Sequence, residues 1–286
     1  MKEIESIEIG AVAKTPKILF LHIPKTGGTT VQDALVSQIG RQYTFPSVAH
    51  PVIAAASDDE LSKYRLFSGH YNRISVDRPA LSDAARISVL RDPSERILSL
   101  YNFWRSITDE YVQENNLWHV RIAKRMTLSE FAARDSEVAF FTCNGLSRNL
   151  ISQVDEDHYS SLSATRLAQI AIEYLSTFDH VLLTPFLGLQ IPEMMESMGL
   201  ARISGVGFRR EIGTHHDEES YLQRIELAEY DDKTFQQVVN DNEADYLVYD
   251  HFLKLYTDGA RHEIAKYTMK TQRENIRLKR QLGILT

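Results

Sequence analysis

The chain has 286 residues, of which 43% are hydrophobic and 25% charged, which is ordinary for a globular protein with a full core. Its formal net charge of −7 argues against general nucleic-acid binding and against a long polyanionic substrate held on a broad basic surface. No apolar run approaches the roughly 20 residues that span a bilayer, the N-terminal residues contain no signal-peptide core, and Cys143 is the only cysteine. We therefore expect a cytoplasmic protein without a membrane span.

The first predicted elements form a strand, a glycine turn and a helix. Lys17 to Ile23 is a nearly continuous apolar run, which is typical of a strand buried on both faces of a parallel sheet. Pro24 ends it, and after the turn the residues from Thr29 to Ile39 have helical apolar spacing. Farther along, Leu66 to Tyr71 reads as a second short strand or the loop at its end.

A second strand, turn and helix unit follows. Arg86 to Leu90 is the predicted strand, and Ser94 to Ile107 is the predicted helix. Asp92 as the N-cap and Pro93 at the first helical position give this helix a strong start signal.

The remaining elements complete an α/β pattern. We predict a helix over Ala164 to Leu175, a strand over Phe178 to Leu183, and a helix from Thr184 to Met198 that ends at Gly199. Residues 217–257 are predicted to be helical and acidic. Strands that alternate with helices predict a central parallel sheet flanked by helices, with a helical C-terminal part.

We find no linker that would mark a domain boundary, and we predict one domain over residues 1–259. Residues 260–286 carry seven basic and two acidic side chains and are predicted to form a basic C-terminal helix that extends this domain. This helix is a candidate surface for homo-oligomer formation or substrate capture, and the alternative is a solvated surface helix.

The sharpest motif is HIPKTGGTT, from His22 to Thr30, between the first strand and its helix. A tight glycine turn that leads into a helix directs several backbone N–H groups at one point, where the helix dipole adds positive potential. Lys25 adds a full charge, and the threonines add hydroxyl donors. The pattern predicts a P-loop-like anion site. It differs from the Walker A loop, in which the lysine follows the glycines, and this disfavours a nucleoside triphosphatase.

The second motif is LRDPSERILSLYNFWR, from Leu90 to Arg105, again at the carboxyl end of a strand. Arg91 can direct two N–H groups onto a phosphate, and Ser99 follows about two helical turns later. Taken alone, Arg91 could equally form a surface salt bridge.

Together, PKTGGTT and LRDPSERILSLYNF resemble the signatures with which sulfotransferases bind 3'-phosphoadenosine 5'-phosphosulfate (PAPS). The closest pattern is that of carbohydrate sulfotransferases of the heparan sulfate 2-O-sulfotransferase type. The resemblance implies that Lys25 is catalytic and that Arg91 and Ser99 hold the 3'-phosphate. It assigns the 5'-phosphosulfate to Lys25, Thr26, Gly27, Gly28, Thr29 and Thr30. A later loop of the family supplies basic residues to the nucleotide, which here implies Arg209 and Arg210.

The resemblance also implies the residues that handle the acceptor. His70 matches the histidine that the 2-O-type enzymes use as a base, whereas Ser68 stands where the family often has a second histidine. Asn144 and Arg148 match a segment near the acceptor, and their alternative is a glycine turn. The VVNDNEADYLVYDHFLKLY segment resembles a C-terminal family helix that is mainly structural.

We therefore expect transfer of a sulfuryl group from PAPS to a hydroxyl of a glycan or a glycosylated small molecule. The acceptor could alternatively be a small non-sugar metabolite, or the protein could bind PAPS without catalysis. A kinase-like phosphotransferase is a further rival, which the absence of a Walker A lysine disfavours. No Cys/His cluster has a metal-ligand spacing, so we expect no metal.

Overall fold

The computed structural model describes residues 16–151, 161–202 and 221–258. Arg209, Arg210 and the predicted basic C-terminal helix lie outside these residues. The described residues belong to two compact units. The first comprises residues 16–89 and 174–202, and the second comprises residues 90–151, 161–173 and 221–258. The single domain over residues 1–259 stays a prediction.

The first unit is built on a four-stranded parallel sheet, as predicted. Its strands are β1 (Ile18–Leu21), β2 (Leu66–Gly69), β3 (Ala85–Leu90) and β4 (His180–Leu183), in the order β2-β1-β3-β4. β1 pairs in parallel with both of its neighbours and is fully buried, which explains its continuous apolar sequence.

Helices cover this sheet. The first unit contains α1 (Gly28–Ile39), α2 (His50–Ala55), α3 (Asp58–Leu61), α4 (Arg73–Val76) and α12 (Leu187–Ser197). Ile18 and Phe20 of β1 pack in one core with Val31 and Leu35 of α1, and Met194 of α12 belongs to the same core. The predicted helix from Thr184 instead opens with a 3-10 turn over Thr184–Phe186. Gly199 ends α12 with a positive φ of 72°, as its C-terminal position predicts.

The second unit is mainly helical in its described part, and the predicted helix after Arg91-Asp92 belongs to its core. Its helices are α5 (Pro93–Ser106), α6 (Asp109–Glu114), α7 (Trp118–Ala123), α8 (Leu128–Ala132), α9 (Ala139–Thr142), α10 (Gly145–Ile151), α13 (Asp232–Asp241) and α14 (Glu243–Asp258). A further helix, α11 (Ala164–Leu175), has the predicted bounds. The Asp92 carboxylate accepts a hydrogen bond from the Glu95 N–H, so it caps α5 as predicted.

The prediction of helix over residues 217–257 is wrong over residues 221–231, and residues 217–220 lie outside the described residues. The described residues 221–231 are not helical. Leu222 forms an antiparallel bridge with Ile107, and Gln223 N–H donates to the Ser106 carbonyl over 2.7 Å. These backbone bonds pair Leu222 and Gln223 outside a helix, and the next described helix begins at Asp232.

Two helices of the second unit cap each other. Asp245 of α14 is fully buried and accepts hydrogen bonds from the backbone N–H groups of Leu146 and Ser147, in the first turn of α10. In return, the side-chain oxygen of Asn144 accepts from the N–H groups of Ala244 and Asp245. The VVNDNEADYLVYD segment is therefore structural here, in agreement with the resemblance.

The buried Arg96 guanidinium lies beside the hydrogen bonds with which Asp245 caps α10. It donates to the Phe141 carbonyl over 2.9 Å and is 3.9 Å from the Asp245 carboxylate. Burial lowers the pKa of Arg96, and the Asp245 charge opposes that effect. The Asp245 carboxylate therefore caps the start of α10 and lies beside one buried positive charge. Within the described ranges, no helix is long and apolar enough to cross a membrane.

We predict that Asp245→Ala lowers the free energy of unfolding by about 3 to 5 kcal/mol, because it removes one partner of a buried charge pair. Urea unfolding followed by circular dichroism measures this loss. Glu243→Ala is the matched control, since Glu243 is an exposed acid on the same helix and should change stability by about 0.5 kcal/mol or less. A loss below about 1 kcal/mol for Asp245→Ala would contradict the stabilising role of the buried Asp245 carboxylate.

Candidate active site

The turn between β1 and α1 has an unusual backbone. Lys25 has a φ of 68° and Gly27 a φ of 88°. A positive φ is uncommon for a lysine, and such strain persists only where the surrounding structure imposes it. Gly27 has the freedom that this conformation requires, and a Cβ at its position would lie 3.0 Å from Cδ1 of Leu187. The sequence Lys-Thr-Gly-Gly thus fits a tight turn packed against the start of α12.

Buried hydrogen bonds fix this turn. The Thr26 hydroxyl donates to the Ile23 carbonyl over 2.9 Å, and the Thr184 hydroxyl donates to the Thr26 carbonyl over 2.6 Å. Thr26 is fully buried. Because the Thr26 hydroxyl donates its hydrogen to the Ile23 carbonyl, the predicted contact of Thr26 with an anion would be made by its backbone N–H. Sequence reasoning missed Thr184, which carries no motif signal.

The start of α1 presents the other predicted anion ligands. Gly28 is the first helical residue, the Thr29 side chain is exposed, and Thr30 and Lys25 are half-buried. The first backbone N–H groups of a helix have no partner within the helix and lie at the positive end of its dipole. The turn therefore combines backbone donors, hydroxyls and a lysine on one short segment.

Strand register places two histidines beside this turn. β1 and β2 pair Leu21 with Gly69, and the His22 N–H continues the ladder to the Gly69 carbonyl over 2.9 Å. The next residue on each strand is a histidine, and the two rings lie 4.7 Å apart. The His22 ring also stacks on Phe20. Sequence reasoning included His22 in the motif but gave it no role, although the alternation of side chains along β1 could have placed it on the Phe20 face.

His22 also fills the space below the first turn of α1. A Cβ built on Gly28 would lie 2.1 Å from Cδ2 of His22. No side chain larger than hydrogen fits at Gly28 without displacing the ring. The position of the His22 ring thus explains why the second residue of the Gly-Gly pair, Gly28, is a glycine.

A hydrogen bond fixes the tautomer of His70. Its Nδ1 is 2.6 Å from the His22 carbonyl oxygen. A carbonyl can only accept, so neutral His70 carries its hydrogen on Nδ1 and leaves the lone pair of Nε2 available. The His70 side chain is exposed, so water reaches it. This arrangement suits a group that takes up a proton at Nε2.

The surroundings of both histidines favour the neutral imidazole. Burial lowers the pKa of His22 to about 3, with smaller contributions from His70 and Lys25. Crowding by the surrounding protein lowers the pKa of His70, the bond to the His22 carbonyl partly opposes this, and Lys25 lowers it further. A neutral imidazole beside a lysine is a competent proton acceptor.

The second motif lies in the second unit. Arg91 directly follows β3 along the chain, and its Nε is 3.2 Å from the Glu95 carboxylate. Ser99 lies half-buried on α5. Partly exposed pairs such as Arg91–Glu95 contribute little to stability.

The predicted substrate residues Asn144 and Arg148 also lie in the second unit. Asn144 has a φ of 52° and uses its side-chain oxygen to cap α14. The Arg148 Nε is buried and has no hydrogen-bond partner among the described residues. Their contact with an acceptor stays a prediction. Across the described residues, no group of three or more His, Cys, Asp or Glu side chains is placed to hold a metal ion.

The first unit therefore has a parallel sheet with a glycine turn and the start of a helix directly after its first strand. A comparison with protein families identifies the family, since the Sulfotransferase family matches residues 11–252. The chain therefore belongs to the Sulfotransferase family, and both motifs lie within the match. A search of curated proteins finds no match.

We predict that Gly28→Ala destabilises the turn, because the added methyl group displaces the His22 ring. Overpacking of this kind costs about 1 to 3 kcal/mol. Urea unfolding of Gly28→Ala, His22→Ala and the double variant measures the coupling between the two positions.

The double variant is the control for this clash. It should lose less stability than the sum of the two single losses, since the methyl group then occupies the space that the ring leaves. Additive losses, or a Gly28→Ala protein as stable as the wild type, would show that the ring does not occupy this space.

Proposed function

We propose that the protein transfers a sulfuryl group from PAPS to a hydroxyl acceptor, with His70 as the base. The family supports sulfuryl transfer in general. The observation that carries the proposal is the 2.6 Å bond from His70 Nδ1 to the His22 carbonyl, beside the lysine turn. This bond leaves Nε2 as the proton acceptor.

The residues of the turn fit an anionic donor. Lys25, the exposed Thr29 and the backbone N–H groups from Thr26 to Thr30 would hold the 5'-phosphosulfate. Arg91 and Ser99 would hold the 3'-phosphate, an assignment that rests on the sequence signature. Arg209 and Arg210 are proposed further contacts. When bound, PAPS supplies the sulfuryl group and a phosphate leaving group.

The chain's own residues then have separate tasks. Lys25 neutralises negative charge that develops on the leaving side. His70 Nε2 would accept the proton of the acceptor hydroxyl while the hydroxyl oxygen bonds to sulfur and the bond between sulfur and the leaving phosphate oxygen breaks. An alcohol is a weak nucleophile until that proton leaves. The His22 carbonyl keeps the hydrogen on Nδ1 and balances the charge of the imidazolium that forms. The fixed turn holds Lys25 in position without reorganisation.

The acceptor is proposed to be a sugar hydroxyl, by resemblance to the heparan sulfate 2-O-sulfotransferase type, with Asn144 and Arg148 as contacts. A small non-sugar alcohol is the alternative. We further propose a cytoplasmic location and association through the basic C-terminal helix over residues 260–286. A protein that binds PAPS without turnover is distinguished by calorimetric binding with no transfer.

We predict that 3',5'-ADP binds more tightly than 5'-AMP, because Arg91 and Ser99 contact only the 3'-phosphate. Two charge-assisted hydrogen bonds contribute about 1.5 to 3 kcal/mol each, so the binding free energies of the two nucleotides should differ by about 3 to 6 kcal/mol. This corresponds to a ratio of roughly 10² to 10⁴ between their Kd values. Isothermal titration calorimetry measures both ligands. Arg91→Ala should remove most of the difference, whereas Arg166→Ala, an exposed arginine of the same unit, should not. Equal affinities for the two nucleotides would contradict the assignment.

We predict that His70→Ala lowers the transfer rate by roughly 10² to 10⁴ and leaves the affinity for 3',5'-ADP within a factor of a few. The wild-type rate should rise with pH through an apparent pKa below the ordinary value of about 6.5, since protonation removes the base and His70 has a lowered pKa. Steady-state assays with radiolabelled PAPS measure both effects.

The control for this experiment is His180→Ala, a histidine at the first residue of β4 in the same sheet. It should keep the rate and the pH profile. Near-normal turnover in His70→Ala would assign the base to another residue, and His50 would be tested next. Loss of both folding and 3',5'-ADP binding in His70→Ala would give His70 a structural role instead.

A further inference from the structure

A non-helical segment of the second unit lies along α5. This segment, residues 221–231, is called the α5 strap. Near the carboxyl end of α5, the Thr108 N–H donates to the Tyr221 carbonyl over 2.9 Å, and the Gln223 N–H donates to the Ser106 carbonyl over 2.7 Å. Later residues of the strap contact earlier residues of α5, so the strap and the helix run in opposite directions.

A buried asparagine fixes the middle of the α5 strap. Asn102 of α5 is 5% exposed. Its side-chain nitrogen donates to the Ala228 carbonyl over 3.2 Å, and its side-chain oxygen accepts from the Ala228 N–H over 2.9 Å. One side chain thus pairs both backbone groups of one strap residue, and this pairing sets the register of the strap along the helix.

The last part of the α5 strap reaches the first turn of the helix. The Tyr230 hydroxyl donates to the Ser94 carbonyl over 2.9 Å, and the Tyr230 ring packs against Phe235 with ring centroids 5.9 Å apart. Burial raises the pKa of Tyr230, so its hydroxyl keeps the hydrogen that it donates. Ser94 is itself buried, so this hydrogen bond is shielded from water.

The turn that Tyr230 contacts is the one that follows Arg91. The Asp92 carboxylate accepts from the Ser94 hydroxyl over 2.6 Å and from the Glu95 N–H over 3.1 Å. Ser94 is therefore held on two sides, by Asp92 at its hydroxyl and by Tyr230 at its carbonyl. Arg91 directly precedes the residue that caps this turn, so the position of its backbone depends on these bonds.

We propose that Tyr230 is a positioning residue for the 3'-phosphate: through Ser94 it holds the first turn of α5, and with it Arg91, where Arg91 can bind this phosphate. The inference rests on the proposed function in taking Arg91 as a ligand of the 3'-phosphate. A guanidinium binds a phosphate through two N–H groups of fixed direction, so a small displacement of the arginine weakens both bonds together. Tyr230 acts through the helix and not by contact with the nucleotide.

The test removes only the hydroxyl of Tyr230. Tyr230→Phe keeps the ring that packs against Phe235, and circular dichroism checks that the variant is folded. Isothermal titration calorimetry should give a Kd for 3',5'-ADP that is roughly tenfold higher than in the wild type. The Kd for 5'-AMP should stay within about twofold, because this nucleotide lacks the 3'-phosphate.

The matched control is Tyr221→Phe. It makes the same chemical change in the same strap, but at the end that lies beside Thr108, far along α5 from Arg91. Because the Thr108 N–H is bonded to the backbone carbonyl of Tyr221, the strap stays paired there, and neither nucleotide should change its affinity.

A double variant tests whether Tyr230 acts through Arg91. Addition of Tyr230→Phe to Arg91→Ala should change the Kd for 3',5'-ADP by less than about twofold, since the residue that the hydroxyl positions is then absent. A purely structural role of Tyr230 would instead give the same loss in both backgrounds.

Three results would overturn the inference. They are an unchanged Kd for 3',5'-ADP in Tyr230→Phe, an equal weakening of both nucleotides, and a loss that persists in full in the Arg91→Ala background. The proposed function is judged by the wild type. Equal wild-type affinities for the two nucleotides would refute the assignment of Arg91 and this inference with it, whereas a preference for 3',5'-ADP that Tyr230→Phe retains would refute this inference alone.

Discussion

The parallel register between β1 and β2 is the constraint on which the candidate site depends. It pairs Leu21 with Gly69, so that the next residues, His22 and His70, lie side by side at one edge of the sheet. A shift of one residue would send one histidine to the opposite face. The same register brings the His22 carbonyl to His70 Nδ1, and the strand interior that holds it is fully buried. Core packing therefore determines which ring nitrogen of the surface residue His70 carries the hydrogen.

The strained turn depends on the same packing. Lys25 keeps its positive φ because Thr26 and Thr184 hold the turn by buried hydrogen bonds, while the His22 ring occupies the space below Gly28. A preformed site of this kind stabilises charge without rearrangement during the reaction. In the second unit, side chains also fix helix ends, since Asp245 caps α10 and Asn144 caps α14.

Local patterns predicted the elements that depend on local physics. The apolar run of β1, the Asp92-Pro93 start of α5 and Gly199 after α12 were all interpreted correctly, because each signal acts within a few residues. The family match agrees with the resemblance at the level of the family. Long-range contacts were not predictable. Nothing near Thr184 indicates its bond to Thr26, and the non-helical segment after residue 221 depends on backbone partners at Ser106 and Ile107.

The most direct test of the account is the tautomer of His70 in the folded protein. Long-range ¹H–¹⁵N correlation spectra at pH 7, assigned with the His70→Ala variant, distinguish a protonated ring nitrogen from an unprotonated one. We predict that neutral His70 carries its hydrogen on Nδ1 and that Nε2 is unprotonated, because the His22 carbonyl can only accept. A His70 ring with its hydrogen on Nε2 would lack a lone pair where the acceptor proton must go, and it would contradict the proposed role of His70.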